Sequence, residues 1–274
     1  MSPPEDRPGP IHRVLMPVRP GRPSPGRLDE ALEPMLVEGL GVGVIVTPFA
    51  VGTAAEVQGM AAFLQALAVW FPDRQILPRA VVADDPVSAI VAEAASHDLV
   101  VLGAPEGGPL VGSVSGRVVA EAGCPTMVIW RHLTRPGPQR ILVPSDGTSR
   151  AGVAVDLAFA LAEGGAATVT VLHVLDGPPS STDTGTDSYD RSLGVLEDAQ
   201  SLRRSGVRLE TMVVRSGDVA GAVRAAVAEG DVDLLLVGTH VDAGTGPPFG
   251  PVVVALLEDP PCPLALVHVP DAPT

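Results

Sequence analysis

Two glycine-rich stretches carry the residue types that anion binding needs. Gly103–Val118 reads GAPEGGPLVGSVSGRV, and Gly238–Val254 reads GTHVDAGTGPPFGPVVV. Each follows a short apolar run, DLVVL at Asp98–Leu102 and DLLLV at Asp233–Val237, and each leads into helix-like sequence. Glycine lets a backbone approach a phosphate closely. The helix that follows offers N–H groups without partners and the positive end of its dipole. A serine hydroxyl, as in Gly112-Ser113, would add one donor. A third stretch, Ile141–Asp146 (ILVPSD), is an apolar run that ends in Pro144-Ser145-Asp146. It sets a carboxylate where a strand would hand over to a helix.

Several other chemistries are excluded. All 18 basic residues are arginine, so there is no P-loop lysine and no lysine for a Schiff base. Gly107-x4-Gly112-Ser113 has the outline of a Walker loop without its lysine. Gly39–Val46 contains Gly-x-Gly, but those glycines precede a strand and do not open a helix, the wrong order for a dinucleotide fingerprint. Cys124 and Cys262 each precede proline and read as small apolar residues entering buried strands. The six histidines show no metal spacing. His173 and His268 read as packed or edge residues. His240 lies on a loop above a strand's carboxyl end, where open α/β sheets bind ligands. No Ser-His-Asp ordering and no nucleophile elbow is present, so no catalytic residue is assigned.

The bulk properties agree. Net charge is −14 with pI about 4.7, and no basic stripe suggests nucleic acid. No apolar run reaches the ~20 residues of a membrane span. The polar, proline-rich start MSPPEDRPGP is not a secretory signal. A cytoplasmic location without membrane insertion is expected.

The elements that must position these loops occur twice. HRVLMPV (His12–Val18) matches QRILVPS (Gln139–Ser145). A capped, alanine-rich helix, an acidic residue and a buried strand closing on glycine occur at Asp84–Gly103 and again at Ser216–Gly238. Gly112 lies twelve residues before Cys124, as Gly250 does before Cys262. Expected strands in the first copy are Arg13–Val18, Gly43–Thr47, Ile76–Val82, Leu99–Gly103 and Thr126–Trp130. In the second they are Ile141–Pro144, Thr168–Val174, Arg208–Val214, Leu234–Gly238 and Leu264–His268. These are short, continuous apolar runs of the kind buried on both faces. Helices fit between them. Thr53 and Glu56 form a capping box ahead of Val57, Met60, Leu64, Leu67 and Phe71. The pattern is α/β: two tandem doubly wound domains of five parallel strands. Residues 1–10 are an N-terminal tail expected to be disordered, 11–134 the first domain, 135–139 the linker and 140–270 the second domain. Gly177–Asp190 is polar and reads as a loop before a short helix ending near Ser205.

The ending DLLLVG…G…CPLALVHV, the run ILVPSDGTSRAGVAVDLAFALA and the strand VTVLHVLD (Thr168–Asp176) resemble the universal stress protein family. The resemblance covers nearly all of both copies. It implies an adenine nucleotide alpha hydrolase-like fold with strand order 3-2-1-4-5. It also implies ATP or ADP as ligand, with phosphates on a Gly-x2-Gly-x9-Gly-Ser loop and the adenine side held by an aspartate ending the first strand. In the second copy the matching residues are Pro144, Ser145, Asp146, Val174, Gly238, Thr239, His240, Gly250 and Val252. In the first they are Gly103, Gly112 and Ser113, with Gly107 one residue late for the second glycine.

Neither copy is complete. In the first, eight residues separate Gly103 from Gly112 where the family has twelve, Glu106 puts a negative charge inside the loop, and the first strand ends in Arg19 instead of aspartate. In the second, Val241 replaces a glycine, Asp242 adds charge, and Gly250 is followed by Pro251, which deletes an N–H. SDGTS also has a plainer reading, a turn in which Asp146 caps the next helix.

The resemblance implies a stress-response or regulatory module acting through a nucleotide or a protein partner, the latter unidentified. The alternatives are a tandem interaction module without nucleotide and a cytoplasmic regulatory partner of a transport system. For the last, LGAP (Leu102–Pro105) resembles universal-stress-type domains attached to some antiporters. Family members pair their last strands. The tandem chain is therefore expected to form an intramolecular pseudo-dimer, with a homodimer as a further step.

Overall fold

The computed structural model describes residues 11–18, 43–105, 110, 112–130, 137–163, 167–176, 193–195, 197–201, 206–239 and 249–268. The chain forms two compact units, the first built on residues up to Gly137 and the second on Pro138–Val267. The expected tail (1–10), the loop at 177–190, Arg19, Glu106, Gly107, His240, Val241 and Asp242 lie outside the described residues.

In the first unit the elements run β1 (Arg13–Val18), β2 (Ile45–Gly52), α1 (Ala54–Trp70), β3 (Gln75–Ile76), β4 (Arg79–Val82), α2 (Pro86–Ala94), β5 (Leu99–Gly103), α3 (Val114–Glu121) and β6 (Thr126–Ile129). Strand β1 lies between β2 and β5, β5 pairs β6, and both β3 and β4 pair β2, all in parallel. The second unit has β7 (Arg140–Pro144), α4 (Ser149–Ala162), β8 (Thr168–Asp176), β9 (Arg208–Ser216), α5 (Val219–Gly230), β10 (Leu234–Thr239), α6 (Pro251–Glu258) and β11 (Leu264–His268). Residues 193–195 and 197–201, between β8 and β9, are helical. Its order is β9-β8-β7-β10-β11. The central strands are buried on both faces; Val14, Leu15 and Val100 in one unit and Val143, Val171 and Leu235 in the other have no solvent exposure.

Most strand ends fall within two residues of the sequence reading, and two strands depart from it further. β2 runs from Ile45 through Pro48 to Gly52, beyond the expected end at Thr47. The third strand is two pieces, β3 and β4, in one register against β2. The break falls at Leu77-Pro78. Leu77 donates to Val46 O at 2.9 Å. The next donor toward that strand would come from Pro48, which has none, so the ladder loses a bond without losing register.

The acidic residue ahead of β5 and of β10 has a physical reason. Asp98 Oδ2 accepts from the backbone N–H groups of His12 and Arg13, both at 2.8 Å. Asp233 accepts from Gln139 N at 3.0 Å and Arg140 N at 3.0 Å. In each unit this carboxylate ties the start of the first strand to the start of the fourth.

Helix starts are side-chain capped in five cases. Thr53 accepts from Glu56 N while the Glu56 carboxylate accepts from Thr53 N, the expected reciprocal box. Asp85, Ser113, Thr148 and Asp218 cap α2, α3, α4 and α5. Of α1 to α6, only α6 has no side-chain cap bond: its N-cap is Gly250 and its first residue Pro251. The other end of α6 is held by Arg224 of α5, whose Nη2 donates to Ala255 O at 2.5 Å.

Candidate functional site

The second unit's strand order places a switch point between β7 and β10. The chain moves outward from β7 to β8 and β9, then returns to the other side at β10. Helices leave neighbouring strands toward opposite faces there, and the crevice at the strands' carboxyl ends is where open α/β sheets take ligands.

The residues at those tips are level with one another. β7 and β8 pair through Pro144 and Leu172. Carrying that register forward sets Ser145 beside His173 and Asp146 beside Val174. β7 and β10 pair through Leu142 and Leu235, which sets Ser145 level with Gly238 and Asp146 with Thr239. Asp146 is exposed, Pro144, Ser145, Val174 and Gly238 are half-buried, and Thr239 is buried.

The turn carrying Asp146 is held from several sides. Ser145 N donates to Leu172 O at 2.8 Å, and the ring Nδ1 of buried His173 lies 2.8 Å from Ser145 O. A carbonyl only accepts, so Nδ1 carries the proton. Gly147 N donates to Ser145 Oγ at 3.3 Å. Gly147 has φ +82°, the left-handed region that favours glycine. A Cβ there would stand 3.0 Å from Val195 Cγ2, so the helical segment after β8 packs against this turn. Asp146 Oδ1 accepts from Thr148 N at 2.9 Å and Thr148 Oγ1 at 2.7 Å. Thr148, not Asp146, caps α4, accepting from Ala151 N at 3.4 Å. The plainer reading of SDGTS is corrected on that point: the aspartate fixes the capping residue, one step removed from the helix.

Opposite this turn, β10 ends at Thr239 and the described chain resumes at buried Phe249. Gly250 and half-buried Val252 stand at the start of α6. Pro251 has no N–H to give. Those of Val252 and Val253 receive no side-chain cap from Gly250, and they lie at the positive end of the helix dipole.

The first unit presents a different surface. Gly103 ends β5, and Gly112 has φ +80° ahead of α3. Ser113 Oγ accepts from Gly116 N at 3.0 Å and donates to Leu110 O at 2.6 Å. Its hydrogen is therefore directed at its own turn. Ser115 Oγ likewise donates to Gly103 O at 2.8 Å. Arg117, one turn further on, faces Asp85 Oδ1 at 3.7 Å and Glu121 Oε1 at 3.4 Å. Asp85 itself is held below the usual carboxylate range, chiefly by the Ser88 hydroxyl.

Sequence reasoning missed Thr148, Val195 and the clamp role of His173. Two left a trace: Thr148 is a capping residue type ahead of a helix, and His173 falls on a buried position of an apolar strand, where a polar ring needs a partner. Among the described residues, no group of three or more His, Cys, Asp and Glu is placed to hold a metal ion, and no helix is long and apolar enough to cross a membrane.

Two tandem doubly wound units define an α/β class of parallel-sheet architecture with its crevices at the carboxyl ends of the strands. The chain belongs to the universal stress protein family, whose model matches residues 42–129 and 138–268, one match in each unit. A universal stress protein from Pseudomonas aeruginosa UCBPP-PA14 superposes with a TM-score of 0.65 at 16% identity, covering 94% of this chain and 93% of that one. One from Archaeoglobus fulgidus DSM 4304 gives 0.63 at 14% identity, covering 94% and 97%. At such identities the likeness is one of fold. No protein of curated function matches the chain in sequence.

Proposed function

We propose that the protein is a regulatory module of the universal stress type whose second unit binds ATP or ADP, and whose first unit does not. One observation carries this reading. The strand registers, carried past the end of β7, bring Asp146 level with Val174 of β8 and Thr239 of β10 at the switch point, and the helix that follows opens without a side-chain cap. In this reading the Asp146 turn and Val174 receive the nucleoside. The phosphates meet the N–H groups of Val252 and Val253 at the start of α6, where an anion is favoured. Gly238 and Gly250 leave room for the backbone to approach. In the first unit the hydroxyls of Ser113 and Ser115 are directed at backbone carbonyls, and the Arg117 guanidinium faces carboxylates. That leaves little to hold a phosphate.

A tandem interaction module without nucleotide is the competing reading. What favours it is Pro251, which removes one donor from the anion-facing turn. Denaturing the purified protein and analysing the supernatant for adenine nucleotides separates the two. Thermal unfolding with added ATP and ADP completes the test. A ligand at 100 times its Kd stabilises the folded state by about 2.7 kcal/mol, several degrees in Tm for a unit of this size. Bound nucleotide or that rise supports the first reading. The absence of both supports the second.

A further inference from the structure

We infer that His173 is a positioning residue for the candidate nucleotide site: its ring clamps the Asp146 turn to the strand that carries Val174. This rests on the nucleotide-binding reading of the second unit, and its first test is made without ligand.

The geometry is specific. His173 immediately precedes Val174, and its Nδ1–H donates to the carbonyl of Ser145, which immediately precedes Asp146. The same Ser145 gives its N–H to Leu172 O, the residue before His173. Both polar backbone groups of Ser145 are thus held by β8, one by the backbone and one by the His173 side chain. The regular ladder between β7 and β8 ends at Pro144 and Leu172. The ring therefore supplies one further cross-strand bond where the ladder stops, just before Asp146.

His173 is only 4% exposed, so its bond to Ser145 is shielded from competing water. A buried donor is costly to leave unmade, which holds the ring in one orientation. Beyond the clamp, the turn is closed by the Asp146–Thr148 bonds and by Val195 against Gly147. His173 thereby fixes the separation between the Asp146 carboxylate and the Val174 backbone, the two groups proposed to receive the nucleoside. The ring itself stays beneath the turn and makes no contact with ligand.

The test compares His173→Leu with His173→Asn and His173→Gln in the full chain. Asparagine places an amide N–H near the Nδ1 position, and glutamine places one near Nε2. The first readout is amide hydrogen exchange at Ser145, Gly147 and Thr148 without nucleotide. Loss of one buried hydrogen bond corresponds to about a tenfold change. His173→Leu and His173→Gln should exchange there about tenfold faster than wild type, while His173→Asn stays close to wild type. Amides of β10 and α5 report whether the unit is still folded. If His173→Leu fails to fold, the asparagine–glutamine contrast decides alone. The second readout is ADP affinity by isothermal titration, which should fall about tenfold in the leucine and glutamine variants and recover with asparagine. Unchanged exchange in a folded His173→Leu, or equal behaviour of asparagine and glutamine, overturns the clamp. If wild type binds no nucleotide, the reading of the site fails, and the exchange data still decide the clamp.

Discussion

Asp146 and Thr148 are joined twice: one carboxylate oxygen of Asp146 accepts both the backbone N–H and the hydroxyl of Thr148, at 2.9 and 2.7 Å. The capping residue of α4 and the aspartate of the candidate site are therefore directly coupled. Thr148→Val should cost about 1 kcal/mol of stability, as loss of a threonine cap usually does. It should also weaken ADP binding. Thr148→Ser keeps the hydroxyl and should restore both. Urea unfolding and titration calorimetry on the two variants check this.

Gly147 should tolerate no side chain. Its φ of +82° is strained for any L-residue, and the new Cβ would stand 3.0 Å from Val195 Cγ2. Gly147→Ala is expected to cost about 1–3 kcal/mol. Part of that loss comes from contact with one neighbour, so Gly147→Ala with Val195→Ala should cost less than the two separate losses combined. A double-mutant cycle by urea unfolding measures the coupling.

The paired carboxylates Asp98 and Asp233 do the same work in unlike surroundings. Asp98 is exposed, whereas Asp233 is buried at 6%. Removing Asp233 leaves two backbone N–H groups where water reaches them poorly. Asp233→Ala should therefore cost about 3 kcal/mol, more than Asp98→Ala, whose freed N–H groups can turn to solvent. Thermal unfolding of both variants tests the ranking.

The Cys124 thiol is pushed from 9.0 up to about 11, first by burial and second by the negative charge of Asp98. Its thiolate fraction near pH 8 should be about a hundredfold below that of an unperturbed thiol, and its alkylation correspondingly slow. Between pH 9.0 and about 11 the unfolded chain ionises this thiol while the folded chain does not. The unfolded state then binds fewer protons. The contribution to stability is full below 9.0 and is lost as the pH rises through 11. The alkylation rate of Cys124, followed by mass spectrometry, should keep climbing to about pH 11.

Local signals were legible in the sequence. The box of Thr53 and Glu56 involves residues three apart, and it formed as read. The duplication was equally plain, because Asp98 and Asp233 precede matching apolar strands. What escaped depended on neighbours distant in sequence. The second strand was expected to end at Thr47, yet β2 is held on both sides and continues through Pro48 to Gly52. The bond from the Ser113 hydroxyl back to Leu110 O belongs to a turn whose closure the sequence did not announce. Within SDGTS, Asp146 and Thr148 are both good capping types two residues apart, and composition alone does not say which takes the helix. The His173 clamp spans 28 residues to Ser145; a ring on an apolar strand signals that it needs a partner, but no local pattern names which one.

The central claim is that the second unit, through Asp146, binds the nucleotide and the first unit does not. It is tested most directly by titrating ADP into wild type, Asp146→Ala and Ser113→Ala by isothermal calorimetry. The account predicts one site in wild type, the same site at unchanged affinity in Ser113→Ala, and no measurable binding in Asp146→Ala. Binding that survives Asp146→Ala and disappears in Ser113→Ala would contradict it.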